Sequence, residues 1–269
     1  MKDYLLELAS QQTNSYNKLN VMREYLQAYT IRILFEEGAF RTLAFIGDTA
    51  LRFVYHLPRY FEDLDFSILK SSDRYSFLTL LNRLKKEFIL AGYEIDISYN
   101  DQKTVQSAFL KFPKLQLEAG ISSFPDQNIS IKIEIDTNPP SSAQIQSHII
   151  NKYFPLSFTS YDVPSLFAGK IHALLTRKYT KGRDYFDLGW YLSRWKEITP
   201  NFTLLINALK QTHYSGNYPT PENWRQILIR TIQKTNWKTV TDDFQNFLEN
   251  PSDLTIFTKD NLLKLLKKP

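Results

Sequence analysis

Apolar residues recur along this chain at two spacings, and the change from one to the other divides it. Over residues 16–37, Leu19, Met22, Leu26, Ile33 and Leu34 return mostly at helical intervals, which predicts one long amphipathic helix ended by Gly38. Residues 42–46 form a short apolar run that stops at Gly47, and residues 49–56 have helical composition, so the expected order is strand, tight turn, helix. Leu64, Phe66 and Ile68 alternate with Asp63, Asp65 and Ser67, the period-2 signature of a half-buried strand. A helix is expected over residues 73–91, capped by Ser71, Ser72 or Asp73 and stopped at Gly92. Residues 93–98 and 104–112 read as further strands. Residues 129–136 read as another, with Ile129, Ile131, Ile133 and Ile135 on one face, and Asn138-Pro139-Pro140 ends it. Beyond Pro164 the period lengthens: 166–179, 185–195, 201–212, 221–235, 242–248 and 259–267 all predict helices, with Thr220-Pro221 arranged as an N-cap followed by proline. The expected organisation is an α/β part with N-terminal helices over residues 1–160 and a helical C-terminal part over 161–269, with the seam near residues 161–164.

Composition changes this picture little; charge changes it more. A chain of 269 residues suits one large or two modest domains, and 43% hydrophobic with 23% charged residues excludes disorder, collagen-like sequence and coiled coil as the main state. With no Cys and four His there is no disulfide framework and no thiolate zinc site, which leaves a hard, oxygen-preferring cation as the expected kind of metal. The net charge of +5 is unevenly divided: residues 1–150 hold 16 Lys and Arg against 18 Asp and Glu, and residues 151–269 hold 17 against 10. A basic half beside an acidic one is read either as a hint of a polyanionic partner or as a solvated charged face. No segment approaches 18 consecutive apolar residues, and Met1-Lys2-Asp3-Tyr4 does not begin the apolar run of a signal peptide, so no membrane contact and a cytoplasmic location are expected.

Four features carry candidate chemistry. Asp63 and Asp65 stand two apart on a strand, so their side chains leave one face with Cα atoms about 6.5 Å apart, within reach of a single metal ion. Lys132, Glu134 and Asp136 share the polar face of the isoleucine strand. Were the two strands neighbours, three or four acids would converge and require cations, and a pair of magnesium ions clamping a phosphoryl displacement is their natural use. Gly47-Asp48-Thr49 lies at the strand-to-helix turn, where glycine permits close approach of a phosphate and the helix N-terminus favours an anion; the alternative is an ordinary turn with Asp48 or Thr49 as cap. Lys170, Ala173 and Arg177 recur on one expected helical face, and Lys170, Arg177, Lys178, Lys181 and Arg183 precede the acids Asp184 and Asp187. Such a face suits a triphosphate; a solvated helix end with two first-turn acids is the other reading.

In this order and spacing, Gly47 to Leu51, Arg59 with Glu62-Asp63-Leu64-Asp65-Phe66, the stretch IKIEIDTNPP, Lys170, Arg177 and the closing RDYFDL resemble the nucleotidyltransferase superfamily, and within it the AbiEii-type toxins of abortive-infection and toxin–antitoxin systems. The resemblance implies an α+β fold: a polymerase-β-like mixed sheet with flanking helices, followed by a helical part that contributes to the active-site cleft. It implies Asp63 and Asp65 as magnesium or manganese ligands and as catalytic residues, with Glu134 or Asp136 as the third carboxylate. It implies Lys170 at the nucleotide phosphates, Asp184 or Asp187 as the family's late essential aspartate, and Gly47, Asp48, Thr49, Arg59 and Arg177 at the nucleotide. Members transfer a nucleotide from a nucleoside triphosphate, some of them to the acceptor end of tRNA, which implies an RNA acceptor and a cognate antitoxin. Two positions depart from the family pattern: Asp48 replaces the usual Gly or Ser of the turn, and Phe61 replaces the Ser two residues after the arginine.

The expectation is therefore a magnesium-dependent nucleotidyltransferase acting on RNA as the toxin of a two-gene module, with nothing in the pattern requiring more than a monomer. Two other readings stand beside it: a nucleotide- or RNA-binding protein on the same fold without turnover, and a transferase whose acceptor is a protein or small-molecule hydroxyl.

Overall fold

The computed structural model describes residues 1–69 and 75–267. Among them the chain divides into two compact units. The first comprises Met1–Tyr55, Tyr60–Pro139 and Gln146–Ser160; the second comprises His56–Arg59, Pro140–Ile145 and Tyr161–Pro269.

The first unit holds helices α1 (Lys2–Ser10), α2 (Ser15–Glu36), α3 (Gly47–Tyr55), α4 (Phe77–Leu90) and the single turn α5 (Leu115–Glu118). Its strands are β1 (Leu43–Ile46), β2 (Asp63–Ile68), β3 (Asp96–Asn100), β4 (Val105–Phe112), β5 (Ile129–Asp136), β6 (Ile145–Asn151) and β7 (Pro155–Tyr161). They form one mixed sheet in the order β3-β4-β5-β2-β1-β7-β6. β5 runs parallel to β2, β7 runs parallel to β1, and the pairs β1–β2, β3–β4 and β4–β5 are antiparallel. The expected α+β architecture with a mixed sheet is present.

The isoleucine alternation explains how this sheet has one dry face. Ile129, Ile131, Ile133 and Ile135 are all buried, and Ser130, Lys132, Glu134 and Asp136 between them are only half-buried. Each such side chain contributes about 1.5–3 kcal/mol by leaving water. A register slip of one residue would turn all four to the wrong face, so the hydrophobic pattern fixes the register. Leu64 and Phe66 do the same on β2 and place Asp63 and Asp65 on the opposite face.

Helix α2 departs from the amphipathic expectation. Thirteen of its residues are buried, and they include Asn20, Glu24, Gln27 and Thr30. A polar stripe here is not a wet stripe, because its groups find partners inside. Arg52 Nε of α3 donates to Glu24 Oε1, Lys152 Nζ donates to the same oxygen at 2.6 Å, and Tyr153 Oη donates to Oε2 at 2.9 Å. Gln27 Nε2 donates to the Phe61 carbonyl at 3.1 Å and Thr30 Oγ1 to the Leu26 carbonyl at 2.8 Å. These bonds tie α2 to α3 and to the β6–β7 connection, a tie that periodicity could not reveal.

The second unit contains α6 (Val163–Thr176), α7 (Gly182–Arg194), α8 (Phe202–Gln211), α9 (Trp224–Lys234), α10 (Trp237–Phe244), the short α11 (Asp253–Ile256) and α12 (Lys259–Lys267). Asp162 caps α6 by accepting from the Ser165 N–H at 2.9 Å, with Pro164 in the first turn. Phe167 of α6 packs against Tyr191 of α7 and edge-on against Trp224 of α9, with ring centroids 4.7 and 5.7 Å apart. α10 crosses α7 so closely at Gly182 that a Cβ there would lie 1.9 Å from the Val240 carbonyl oxygen.

Several boundaries differ from the sequence expectation. The cap expected at Ser71, Ser72 or Asp73 lies outside the described residues, and α4 is capped by Ser76, whose hydroxyl accepts from the Thr79 N–H. α9 begins at Trp224 rather than Pro221, because the Thr220 hydroxyl bonds Glu222 while its N–H donates to Asn223 Oδ1 at 2.7 Å, closing a separate turn. α10 begins at Trp237 under an Asn236 cap, well before residue 242. α1, β6 and β7 were not expected; β6 in particular is an edge strand without clean alternation, defined by pairing rather than by its own sequence.

Glu24 gives the fold a pH dependence. Burial pushes its carboxyl up, but the Arg52 and Lys152 charges and their hydrogen bonds outweigh this and hold it below the ordinary value of 4.5. A depressed folded value stabilises above the unfolded value and is lost as pH falls through the folded one. Glu24→Gln is expected to cost about 3–5 kcal/mol at neutral pH by stranding buried Arg52. Urea denaturation from pH 7 to pH 3 should show the gap to wild type narrowing only below about pH 4.5; a constant gap would refute the assignment.

Candidate active site

In the first unit, the parallel register of β2 and β5 sets Asp63 beside Lys132, Asp65 beside Glu134, and Ser67 beside Asp136. Neighbouring strands lie about 4.8 Å apart, so Asp65 and Glu134 stand within reach of one cation, and Asp63 follows on the same face. Asp136 is one pleat further along, where its Oδ1 accepts from the Asn138 N–H at 2.9 Å and closes the strand end. Burial pushes the Asp136 carboxyl up, against that hydrogen bond. Lys132 Nζ pairs with Glu134 Oε1 at 2.8 Å. Burial works to lower this ammonium, but the hydrogen bond to Glu134 and the charges of Glu134, Asp63 and Asp65 prevail and hold it above the usual lysine value.

The turn from β1 into α3 adjoins these acids. Gly47 has φ +72, and a Cβ on it would lie 2.5 Å from Asp65 Oδ2. Glycine is therefore required twice, for a left-handed backbone and for space beside a carboxylate. Thr49 Oγ1 donates to the Asp63 carbonyl, which pins the first turn of α3 to β2. Asp48 is half-buried in that first turn.

The second unit carries a buried ion network. Arg59 donates through Nε and Nη2 to the two carboxylate oxygens of Asp187, each at 2.6 Å, and both side chains are 0% exposed. Lys170, 6% exposed, lies 2.7 Å from Asp187 Oδ2 and donates to Asp184 Oδ1 at 2.9 Å. Arg177 Nε lies 2.9 Å from Asp184 Oδ2. Three cations thus enclose two carboxylates. The sequence placed Arg177 on the face of Lys170, but α6 ends at Thr176 and Arg177 is its extended C-cap residue. Asp184 and Asp187, one turn apart on α7, are buried rather than solvated first-turn acids. Arg59, expected at the nucleotide, is wholly enclosed and serves Asp187.

Comparison with known proteins bears on what these groups do. The model of the family described as nucleotidyl transferase AbiEii toxin, type IV toxin–antitoxin system, matches residues 32–259. The chain belongs to the AbiEii nucleotidyl transferase toxin family. Two solved structures share its fold. JHP933 from Helicobacter pylori has TM-score 0.53 and 19% identity over 91% of this chain and 87% of that one. A Helicobacter pylori structure assigned provisionally as a nucleotidyltransferase has TM-score 0.56 and 20% identity over 92% and 91%. No curated protein matches the chain.

As an AbiEii-family nucleotidyltransferase the chain implies a divalent cation, and the β2–β5 face offers carboxylates from two adjacent strands. Its donors are carboxylate oxygens, the set a hard cation prefers, and the missing Cβ of Gly47 leaves room for Asp65 Oδ2. Lys132 is the countercharge of Glu134 on this face. One neighbour on this face escaped the sequence reading: Phe109 of β4, in register with Lys132 and 41% exposed, with the Lys132 ammonium 5.8 Å from its ring centroid. The alternation Val105, Ser107, Phe109 could have placed it there. No helix among the described residues is long and apolar enough to cross a membrane.

Two substitutions test the geometry. Gly47→Ala should cost about 1–2 kcal/mol for the left-handed backbone alone and should also displace the Asp65 carboxylate. Asp187→Ala should cost about 3–5 kcal/mol, because it leaves the buried Arg59 guanidinium uncompensated. Thermal and urea unfolding measure both, and a neutral Asp187→Ala would mean that the network contributes nothing.

Proposed function

We propose that this nucleotidyltransferase transfers a nucleotide from a nucleoside triphosphate to an RNA acceptor, the end of tRNA foremost, in a magnesium- or manganese-dependent reaction. It acts in the cytoplasm as a toxin restrained by a cognate antitoxin. The observation that carries the reading is the in-register placement of Asp63, Asp65 and Glu134 on one sheet face. Asp63 and Asp65 bind the metal, which when bound supplies charge neutralisation and polarisation at the phosphoryl oxygens. Glu134 completes the set and accepts the proton of the attacking hydroxyl at a carboxylate oxygen; its level with Asp65 favours it over Asp136. The Gly47 turn and the first N–H groups of α3 receive phosphate oxygens.

Lys170 Nζ neutralises triphosphate charge as pyrophosphate leaves, and Arg177 assists it. Asp184 and Asp187 hold the lysine side chain in place, and Arg59 in turn holds Asp187, so these three act by positioning. Catalysis then rests on orientation and electrostatics, as phosphoryl transfer generally does. Asp48, an acid in the phosphate turn, favours a second reading in which nucleotide binds without turnover.

Incubation with each labelled nucleoside triphosphate, magnesium and total tRNA is expected to label RNA. Asp63→Ala with Asp65→Ala should reduce this by at least about 10²–10³-fold. Label on a protein band instead would move the acceptor. Absence of transfer with either metal, or transfer undiminished in the double variant, would overturn the proposal; magnesium-dependent nucleotide binding without product would establish the second reading.

A further inference from the structure

The second unit contains a cleft of about 470 Å³ whose walls include two distant stretches of sequence. One is the α6–α7 connection with Arg177, Lys178, Tyr179 and Lys181; the other is α9, which contributes Ile227, Arg230, Thr231 and Lys234. Those four α9 positions follow helical spacing, while Leu228, Ile229 and Ile232 on its other side are buried. One stripe of α9 is therefore assigned to the cleft and the other to the core.

The charge of this cleft has no structural return. The one carboxylate in its wall, Asp184, is already taken by Lys170 and Arg177. Lys178, Lys181, Arg230 and Lys234 make no ion pair among the described residues. Arg230 and Lys234 are four apart on a helix that carries no acid, an arrangement in which like charges repel. Tyr179 is 66% exposed among these cations, with the Arg177 guanidinium 5.9 Å from its ring centroid and most of its aromatic surface in water. Cations that track a phosphate backbone together with an open ring on which a base stacks are what single-stranded nucleic acid requires, and the volume suits a group of nucleotide size.

We infer that this cleft binds single-stranded RNA, with Lys178, Lys181, Arg230 and Lys234 at consecutive phosphates and a base on Tyr179. The inference deepens the RNA-acceptor reading and rests on it for the choice of RNA, yet it concerns residues outside the proposed transfer chemistry. It is tested by binding alone.

A fluorescein-labelled single-stranded RNA dodecamer is titrated by anisotropy between 50 and 200 mM salt, and ATP binding is followed separately by calorimetry. Arg230→Glu with Lys234→Glu should weaken RNA binding at least about tenfold and reduce the slope of log affinity against log salt by about 1.4, the value for two lost phosphate contacts on a single strand. Tyr179→Ala should weaken it about tenfold through lost stacking, with the salt slope unchanged. ATP binding should be unaltered in both. Should the charge reversal melt early, Arg230→Gln with Lys234→Gln replaces it with the same expectation. RNA binding and slope unchanged in a folded variant, no RNA binding by the wild type, or loss of ATP binding with RNA binding retained would each overturn the inference. Cleft-dependent RNA binding without any transfer would defeat only the enzymatic reading; transfer to tRNA with cleft variants binding normally would defeat only this one.

Discussion

Two carboxylates without access to water, Asp184 and Asp187, impose the constraint on which the second unit depends. A buried charge is tolerated only when paired and hydrogen-bonded, and here three cations surround the two acids. To satisfy it, α6 must present Lys170 toward α7, and α6 must end where Arg177 can turn back. The four-residue stretch His56–Arg59 must also join the helical unit, which its place in the chain, amid residues of the first unit, would not suggest. An isolated bridge from Arg59 to Leu248 and the Glu249 N–H to Pro58 carbonyl bond seat that stretch. Such networks add less net stability than their number suggests, since desolvation offsets most of the attraction. What they supply is one arrangement, because any other strands a charge.

The first unit solves the same problem around Glu24, with Arg52, Lys152 and Tyr153. The acids on its sheet face obey a different rule. Asp63, Asp65 and Glu134 are gathered by sheet register and are half-buried, and Lys132 pairs with Glu134. Asp184 and Asp187 are held by ion pairs within the second unit, whereas Asp63, Asp65 and Glu134 are brought together by strand register. That distinction separates Asp184 and Asp187 from Asp63 and Asp65, although all four read alike as carboxylates in a motif.

The charge split along the sequence acquires a finer meaning. Lys170, one of the cations of the basic half, is a buried partner of acids, as are Arg52 and Arg59 in the acidic half. The positive surface that remains in the second unit includes the cleft between the α6–α7 connection and α9. Arg230 and Lys234 were invisible as members of it because they lie some fifty residues beyond Lys181, and only the packing of α9 beside α6 brings them there.

By itself the sequence determined the elements whose stability is local in pattern: the isoleucine face of β5, the Asp-Leu-Asp alternation of β2, the glycine turn before α3 and most of the C-terminal helices. These follow from a period of two or of about 3.6, which a linear chain displays directly. It also carried the family, through the order and spacing of its motifs. Tertiary structure alone decided that β2 and β5 are neighbours with Glu134 rather than Asp136 level with Asp65, that polar α2 is buried, and that Arg59 belongs to Asp187. The physical reason is common to all three. Strand register and ion pairing join residues from 28 to 128 positions apart, as in Glu24 with Arg52 and Arg59 with Asp187, and no local period records such a partner.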